Sequence, residues 1–199
     1  MHLLFASSNK NKIREITQLL PEGFTLSGLE DIGIVEEIPE PGITIKENSF
    51  LKANYVTEFL KTQNKTMAVF ADDSGLEVEA LNNEPGVYSA RYAGIPKNDE
   101  ANNKKLLKEL ATKTNCSARF VTVITLIWES EIHYFEGEVK GTIIDEPRGV
   151  NGFGYDPLFI PEGYQQTFAE LSPEIKNSIS HRGRAVQKLI GFLKTRVKS

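Results

Sequence analysis

Four short stretches of this sequence gather residue types that can do chemistry. The first is "FASSNKNK", residues 5–12. An apolar run ends there, a Ser-Ser-Asn turn follows, and a helical pattern begins. N–H groups at a helix start attract anions. Ser7, Ser8 and Asn9 add side-chain donors, and Lys10 and Lys12 add positive charge. The combination suits a phosphate group. It is not a P-loop, because the spaced glycines and the Gly-Lys-Ser/Thr ending are missing. A capped helix with solvated lysines accounts for the same residues without a ligand.

The second is "VFADDSG", residues 69–75, taken with Glu40. Hard cations such as Mg²⁺ take carboxylate oxygens and keep several waters, so two or three carboxylates suffice. Asp72 and Asp73 follow an apolar run, which predicts that they stand where a buried strand ends. Ser74 can bond a phosphate oxygen. Neighbouring carboxylates repel, which itself favours a bound cation. Asp, Ser and Gly are also favoured turn residues. On the tetrapeptide alone, the turn is the stronger reading.

In the third, "NGFGYDP" (151–157), Gly152 and Gly154 leave Phe153 on a loop that a ligand can approach. Such a ring can stack on a base, and Asp156 offers acceptors to a base edge. A Gly-rich connection with core aromatics is the competing reading. The fourth is "EIKNSISHRGR" (174–184), where Lys176, His181 and Arg182 supply donors for a carbonyl oxygen or a phosphate. A polar helix start in water is its alternative. His133 and Trp128 lie in a strand pattern and read as structural, and Cys116 has no evident His partner.

The elements that must position these residues follow from periodicity. "HLLFA", 2–6, reads as a buried strand, and Asn11 to Leu20 as a helix ended by Pro21 and Gly23. Residues 24–38 alternate loosely, which predicts two short strands. Thr44 with Glu47 forms a capping-box pattern. It opens a helix to about residue 61, with Ile45, Leu51, Tyr55, Phe59 and Leu60 as its apolar stripe. "MAVFA", 67–71, and "LEVEAL" from Leu76 read as two separate strands, and "NNEPG", 82–86, as a turn. A helix capped by Asn98 covers Asp99 to Ala111. Residues 118–129 and 132–144 are the longest strand patterns, a few residues apart, and predict a hairpin. A Gly-rich loop covers 146–157. A short helix follows Pro173, and a final helix runs from about Arg182 to Arg196 with Val186, Leu189, Ile190, Leu193 and Val197 on its apolar face. Interleaved helices and strands with an antiparallel hairpin predict an α/β fold with a mixed sheet. Polar motifs at element ends point to two lobes around a central cleft.

Bulk composition narrows the function classes. With 40% hydrophobic and 25% charged residues the 199-residue chain is an ordinary globular protein, long enough to bury a core without staples. A net charge of −4 argues against broad nucleic-acid binding, which needs clustered Lys and Arg, but not against a single nucleotide. No segment approaches the roughly 18 apolar residues of a membrane span. The apolar residues after Met1 are too few for a signal peptide. A single cysteine excludes an internal disulfide, and the natural expectation is a cytoplasmic protein.

Taken in order, "SSNKNK", "ADDSGLEVEAL…PGVYSARYAG", "NGFGYDPLF" and "KNSISHRGRA" closely resemble the Ham1-like family, the inosine triphosphate pyrophosphatases. The resemblance runs from about residue 3 to 193 and implies one domain over 1–199. The fold it implies is an elongated mixed sheet flanked by helices, with two lobes around a nucleotide-binding cleft. The activity it implies is Mg²⁺-dependent hydrolysis of ITP, dITP and XTP between the α and β phosphates, usually by a homodimer. Residues 7–12 match the family's phosphate loop. Asp73 matches its proton acceptor and metal ligand, with Asp72 beside it and Glu40 as a further metal ligand. Ser74, Phe153, Gly154, Tyr155, Asp156, Lys176, His181 and Arg182 match its substrate contacts. Ser7 stands where the family has threonine, Ser8 where it has glycine, and Asn82 and Asn83 where it often has two glycines. A Maf-like nucleotide pyrophosphatase with another base preference, or a nucleotide sensor without catalysis, are the alternatives.

Overall fold

The computed structural model describes residues 1–197. It contains a six-stranded sheet in the order β2-β1-β3-β4-β5-β6. The strands are β1 (His2–Phe5), β2 (Thr25–Ser27), β3 (Ala68–Val78), β4 (Ser117–Trp128), β5 (Glu131–Ile143) and β6 (Phe159–Pro161). β1 runs parallel to β2 and β3, while β6 runs antiparallel to β5, so the sheet is mixed as expected. Glu129 and Ser130 join β4 to β5 with φ of 52° and 66°. Two consecutive left-handed residues are the signature of a tight hairpin turn. The helices are α1 (Lys10–Leu19), α2 (Ile45–Thr62), α3 (Asp99–Leu110), α4 (Pro173–Ile179) and α5 (His181–Val197).

The chain divides into two compact units. Unit 1 holds 1–73, 122–136 and the segment from Gly183 onward; unit 2 holds 74–121 and 137–182. In unit 1, alternate residues of β1 and β3 serve two cores, as the two-residue period of a strand requires. Leu3, Phe5 and Phe70 pack with Ile16 of α1 and with Ala185, Val186, Leu189, Ile190 and Leu193 of α5. Leu4, Ala6, Val69 and Ala71 pack with Ala53, Val56 and Leu60 of α2 on the opposite face. Of the apolar positions expected on the last helix, Val197 lies outside the described side chains. In unit 2, Leu76, Val78, Phe120, Val139 and Ile143 share a core with Leu106 and Leu110 of α3 and with Leu158, Phe159 and Phe168. The other sheet face there is polar: Arg119 bridges Glu77 at 2.7 Å and Glu138 at 2.9 Å.

Three expectations are corrected. The two strands predicted on either side of the aspartates are one, because β3 runs unbroken from Ala68 through Asp72, Asp73 and Ser74 to Val78. Residues 24–38 hold one three-residue strand and a 3₁₀ turn at Glu30–Ile32 rather than two strands. The buried stripe of α2 is Ile45, Asn48, Ser49, Lys52, Ala53, Val56 and Leu60, whereas Tyr55 is exposed and Leu51 and Phe59 are only half-buried. That face is less apolar than the predicted one, and its polar members have polar partners: Asn48 meets Gly42, Ser49 meets Thr125, and Lys52 meets Glu40.

Candidate active site

Local sequence chemistry builds the segment at residues 7–12. β1 ends at Phe5, and Asn9 caps α1: its Oδ1 accepts from the backbone N–H of Asn11 at 3.0 Å and of Lys12 at 3.2 Å. Ser7 Oγ accepts from Asn9 N–H at 3.1 Å, which closes the turn. Ser8 does not adopt the left-handed region, so a serine stands there without backbone strain. Ser8, Asn9, Lys10 and Asn11 are exposed; Ser7 and Lys12 are half-buried. Lys12 is directed inward, with Nζ 2.9 Å from Asp72 Oδ1.

Asp72 and Asp73 are nearly buried, at 1% and 7% exposure. Consecutive strand residues point to opposite faces, and their partners agree with this. Asp72 follows Phe70 on the α1 and α5 face and meets Lys12. Asp73 follows Ala71 on the α2 face, where Lys52 Nζ lies 3.5 Å from its Oδ1. Lys52 also pairs with Glu40. Among the described residues, Lys12 thus pairs with Asp72, and Lys52 with both Asp73 and Glu40. Asp73 Oδ2 is buried with no hydrogen-bond partner among the described residues. Burial pushes the Asp73 carboxyl above its ordinary pKa; Lys52 and Lys12 oppose this, and the Glu40 and Asp72 charges add to it. Burial pulls Lys52 down, but Asp73, Glu40 and Asp72 outweigh it and hold the ammonium above its ordinary value.

Lys52 was not anticipated from the sequence. The available signal was its spacing: it stands four residues after Asn48, three after Ser49 and four before Val56, inside a buried helical stripe. A lysine at a core position needs a charged partner. Asn48 and Ser49 carry the same signal. Asn48 Oδ1 accepts from Gly42 N–H at 2.7 Å, two residues from Glu40, and Ser49 Oγ meets Thr125 Oγ1 at 2.6 Å. Among the described residues no three His, Cys, Asp or Glu side chains converge closely enough to form a metal cage by themselves.

The remaining candidate residues gather in unit 2. Lys176, His181 and Arg182 are all buried, so the solvated alternative does not hold for them. Asp156 Oδ2 accepts from Phe153 N–H at 2.8 Å and from Lys176 Nζ at 2.8 Å, so this carboxylate closes its own loop. Gly152, with φ of 78°, makes the loop possible: a Cβ there would lie 2.1 Å from Asp156 Oδ2. Lys176 Nζ lies 5.0 Å and Arg182 Cζ 5.6 Å from the centre of the Phe153 ring. Cations held over an aromatic face are favourable, and they fix the ring's surroundings. Arg182 Nη2 donates to Ser74 Oγ at 3.3 Å, and the His181 ring stacks on Phe120 with centres 4.7 Å apart. The Tyr155 hydroxyl is buried and donates to Ser89 C=O at 2.8 Å, and burial raises its pKa far above the ordinary phenol range.

The sequence pattern of the Ham1 family matches residues 3–192. The chain is 56% identical to the dITP/XTP pyrophosphatase of Flavobacterium johnsoniae, with 97% of this chain and 98% of that protein covered. It is 47% identical to the dITP/XTP pyrophosphatase of Aquifex aeolicus, with 98% and 97% covered. Among solved structures, the Ham1 protein of Staphylococcus aureus superposes with a TM-score of 0.86 at 43% identity, covering 98% of this chain and 100% of that one. A HAM1 protein from Coxiella burnetii gives 0.88 at 37% identity, covering 98% and 99%. The buried carboxylate–lysine cluster, the Phe153 loop and this near full-length match together place the chain in the Ham1 family.

Proposed function

We propose that this chain hydrolyses purine nucleoside triphosphates that carry hypoxanthine or xanthine, such as dITP, ITP and XTP. It does so between the α and β phosphates, releasing the monophosphate and pyrophosphate. The observation that carries the reading is Asp73, a buried carboxylate of raised basicity with one oxygen unpartnered, beside the Lys52 ammonium and Glu40. The relatives named dITP/XTP pyrophosphatase supply the substrate class. A nucleotide has a charged half and a flat half. The carboxylates, Lys12, Lys52 and the start of α1 have the chemistry for the first; Phe153, Lys176, His181 and Arg182 have the chemistry for the second.

Mg²⁺ fits this donor set. It needs only one or two carboxylates and takes its other oxygens from water and substrate phosphates. Asp73 would hold it through Oδ2 with Glu40 as a further ligand, while Asp72, on the other face with Lys12, would add its charge from a distance. When bound, the ion supplies charge neutralisation on the phosphates. Asp73 accepts a proton from the attacking water as its oxygen bonds to the α-phosphorus, and the bond to the bridging oxygen breaks with pyrophosphate as leaving group. Lys52 stays protonated through this step and offsets the negative charge that develops. The loop at 7–12 and Lys12 orient the phosphates. Donors from His181 and Arg182 satisfy a 6-oxo purine and are left unmet by a 6-amino purine, at roughly 1–3 kcal/mol for each lost bond. A homodimer and a cytoplasmic setting belong to the same proposal.

Incubating the protein with dITP, XTP, dGTP, dATP and dTTP and Mg²⁺, and resolving the products by phosphorus NMR, tests the reading. Monophosphate and pyrophosphate from dITP and XTP, with little turnover of the others, is the expected result. Diphosphate and inorganic phosphate, or a preference for dTTP, contradicts it.

A further inference from the structure

Phe153 stands between two glycines with φ of 78° and 62°. Glycine flanks leave a residue conformational freedom; Asp156 takes Phe153 N–H from within the loop, and the next residue, Gly154, is held from outside it. The holder is α3. Asp99 Oδ2 accepts from Gly154 N–H at 2.7 Å, and Asn103 Nδ2 donates to Gly154 C=O at 3.0 Å. Asp99 and Asn103 are four residues apart and share one helix face. Both main-chain groups of the residue after Phe153 are therefore taken by a single rigid element. Asn102, on the same face, accepts from Ala93 N–H at 2.7 Å and donates to Ala90 C=O at 3.2 Å. Its Nδ2 also reaches Ser89 C=O at 3.4 Å, the carbonyl that anchors the Tyr155 hydroxyl. The clamp has a stability cost. With Nδ2 turned to Gly154, Asn103 Oδ1 is buried without a hydrogen-bond partner among the described residues, and an unmet buried acceptor is unfavourable. An apolar side chain of similar size would avoid that loss but could not hold the loop.

We propose that Asp99 and Asn103 are specificity-determining positioning residues. By clamping Gly154 they set the Phe153 ring where a purine base stacks. This rests on the reading of residues 153–156 as the base loop. Neither residue is given a role in the chemical step.

The test is steady-state kinetics on dITP and dGTP for Asn103→Leu, Asp99→Ala, Asp99→Asn, Phe153→Ala and the double variant Asn103→Leu/Phe153→Ala, with thermal melting of each. Asn103→Leu and Asp99→Ala should each raise KM for dITP about five- to tenfold and lower the dITP-to-dGTP preference, with kcat changed less than about twofold. Asn103→Leu exchanges the unmet Asn103 Oδ1 for an unmet Gly154 C=O and should melt close to the parent, so that its KM change is not a loss of folding. Asp99→Asn keeps an acceptor for Gly154 N–H and should restore a KM near the parent's. In the Phe153→Ala background, Asn103→Leu should have no further effect on KM. A parental KM in Asn103→Leu when Phe153→Ala is impaired overturns the clamp, as does full additivity in the double variant. A parental KM in Phe153→Ala overturns the base-loop reading itself, and the clamp falls with it.

Discussion

Asp72 and Asp73 are consecutive residues, yet different helices answer them: Lys12 of α1 lies 2.9 Å from Asp72, and Lys52 of α2 lies 3.5 Å from Asp73. The strand's alternation separates two carboxylates that the sequence sets side by side. It also divides their work. Asp72 fixes Lys12 of α1. Asp73 keeps an oxygen without a hydrogen-bond partner among the described residues, beside Glu40 and Lys52, and it is the oxygen proposed to serve the reaction.

Lys52→Met would leave Glu40 and Asp73 without the ammonium they share. Removing one partner of a buried ion pair costs roughly 3–5 kcal/mol. Urea unfolding should show a loss of at least about 2 kcal/mol, together with loss of turnover. Lys61 pairs with Glu58 in the open, so Lys61→Met should change stability by less than about 1 kcal/mol. Equal effects of the two substitutions would contradict a buried charge cluster.

The raised pKa of Asp73 has a sign that denaturation can read. The unfolded side chain titrates near 3.8, and the folded one above it. Between those values the folded state binds more protons, so stability falls as pH rises through that window. Asp73→Asn lacks this slope. In EDTA, the variant's stability relative to the parent should increase from about pH 4 upward and level off above the folded pKa. Lys52 acts at the other end: its contribution is complete below 10.5 and is lost as pH rises through its folded value.

Gly152→Ala should disturb base recognition more than Gly154→Ala. Both positions have positive φ, which costs a side chain roughly 1–2 kcal/mol. Only at Gly152 would the new Cβ also meet Asp156 Oδ2, the oxygen that holds Phe153 N–H and Lys176; at Gly154 nothing lies within 4 Å. The expected result is a KM for dITP raised severalfold further in Gly152→Ala, with both variants folded by circular dichroism.

Much of this arrangement was legible in short-range sequence patterns. Thr44 and Asn98 each cap the helix they were assigned to, and Asn9 caps α1. Asn82 and Asn83 adopt φ of 54° and 67°, the left-handed turn that asparagine tolerates in place of glycine. What escaped depends on partners distant in sequence. An Asp-Asp pair inside a strand looks like a strand end until Lys12 and Lys52, sixty and twenty-one residues away, neutralise it. The α2 stripe was placed on its most apolar face, whereas the face that is buried carries Asn48, Ser49 and Lys52, each met by a polar partner that periodicity does not reveal. β6 is three residues long and ends in proline, too short for any period to register.

The central claim is that Asp73 accepts the proton in hydrolysis between the α and β phosphates. Pyrophosphate release from dITP with saturating Mg²⁺ by Asp73→Asn, alongside its melting temperature, tests it most directly. The variant should melt at or above the parent temperature at neutral pH, because a buried carboxylate of raised pKa has been replaced by a neutral isostere. Its turnover should fall by roughly a hundred- to ten-thousandfold, the range that general-base catalysis contributes. A correctly folded Asp73→Asn that releases pyrophosphate at near the parent rate would contradict the account.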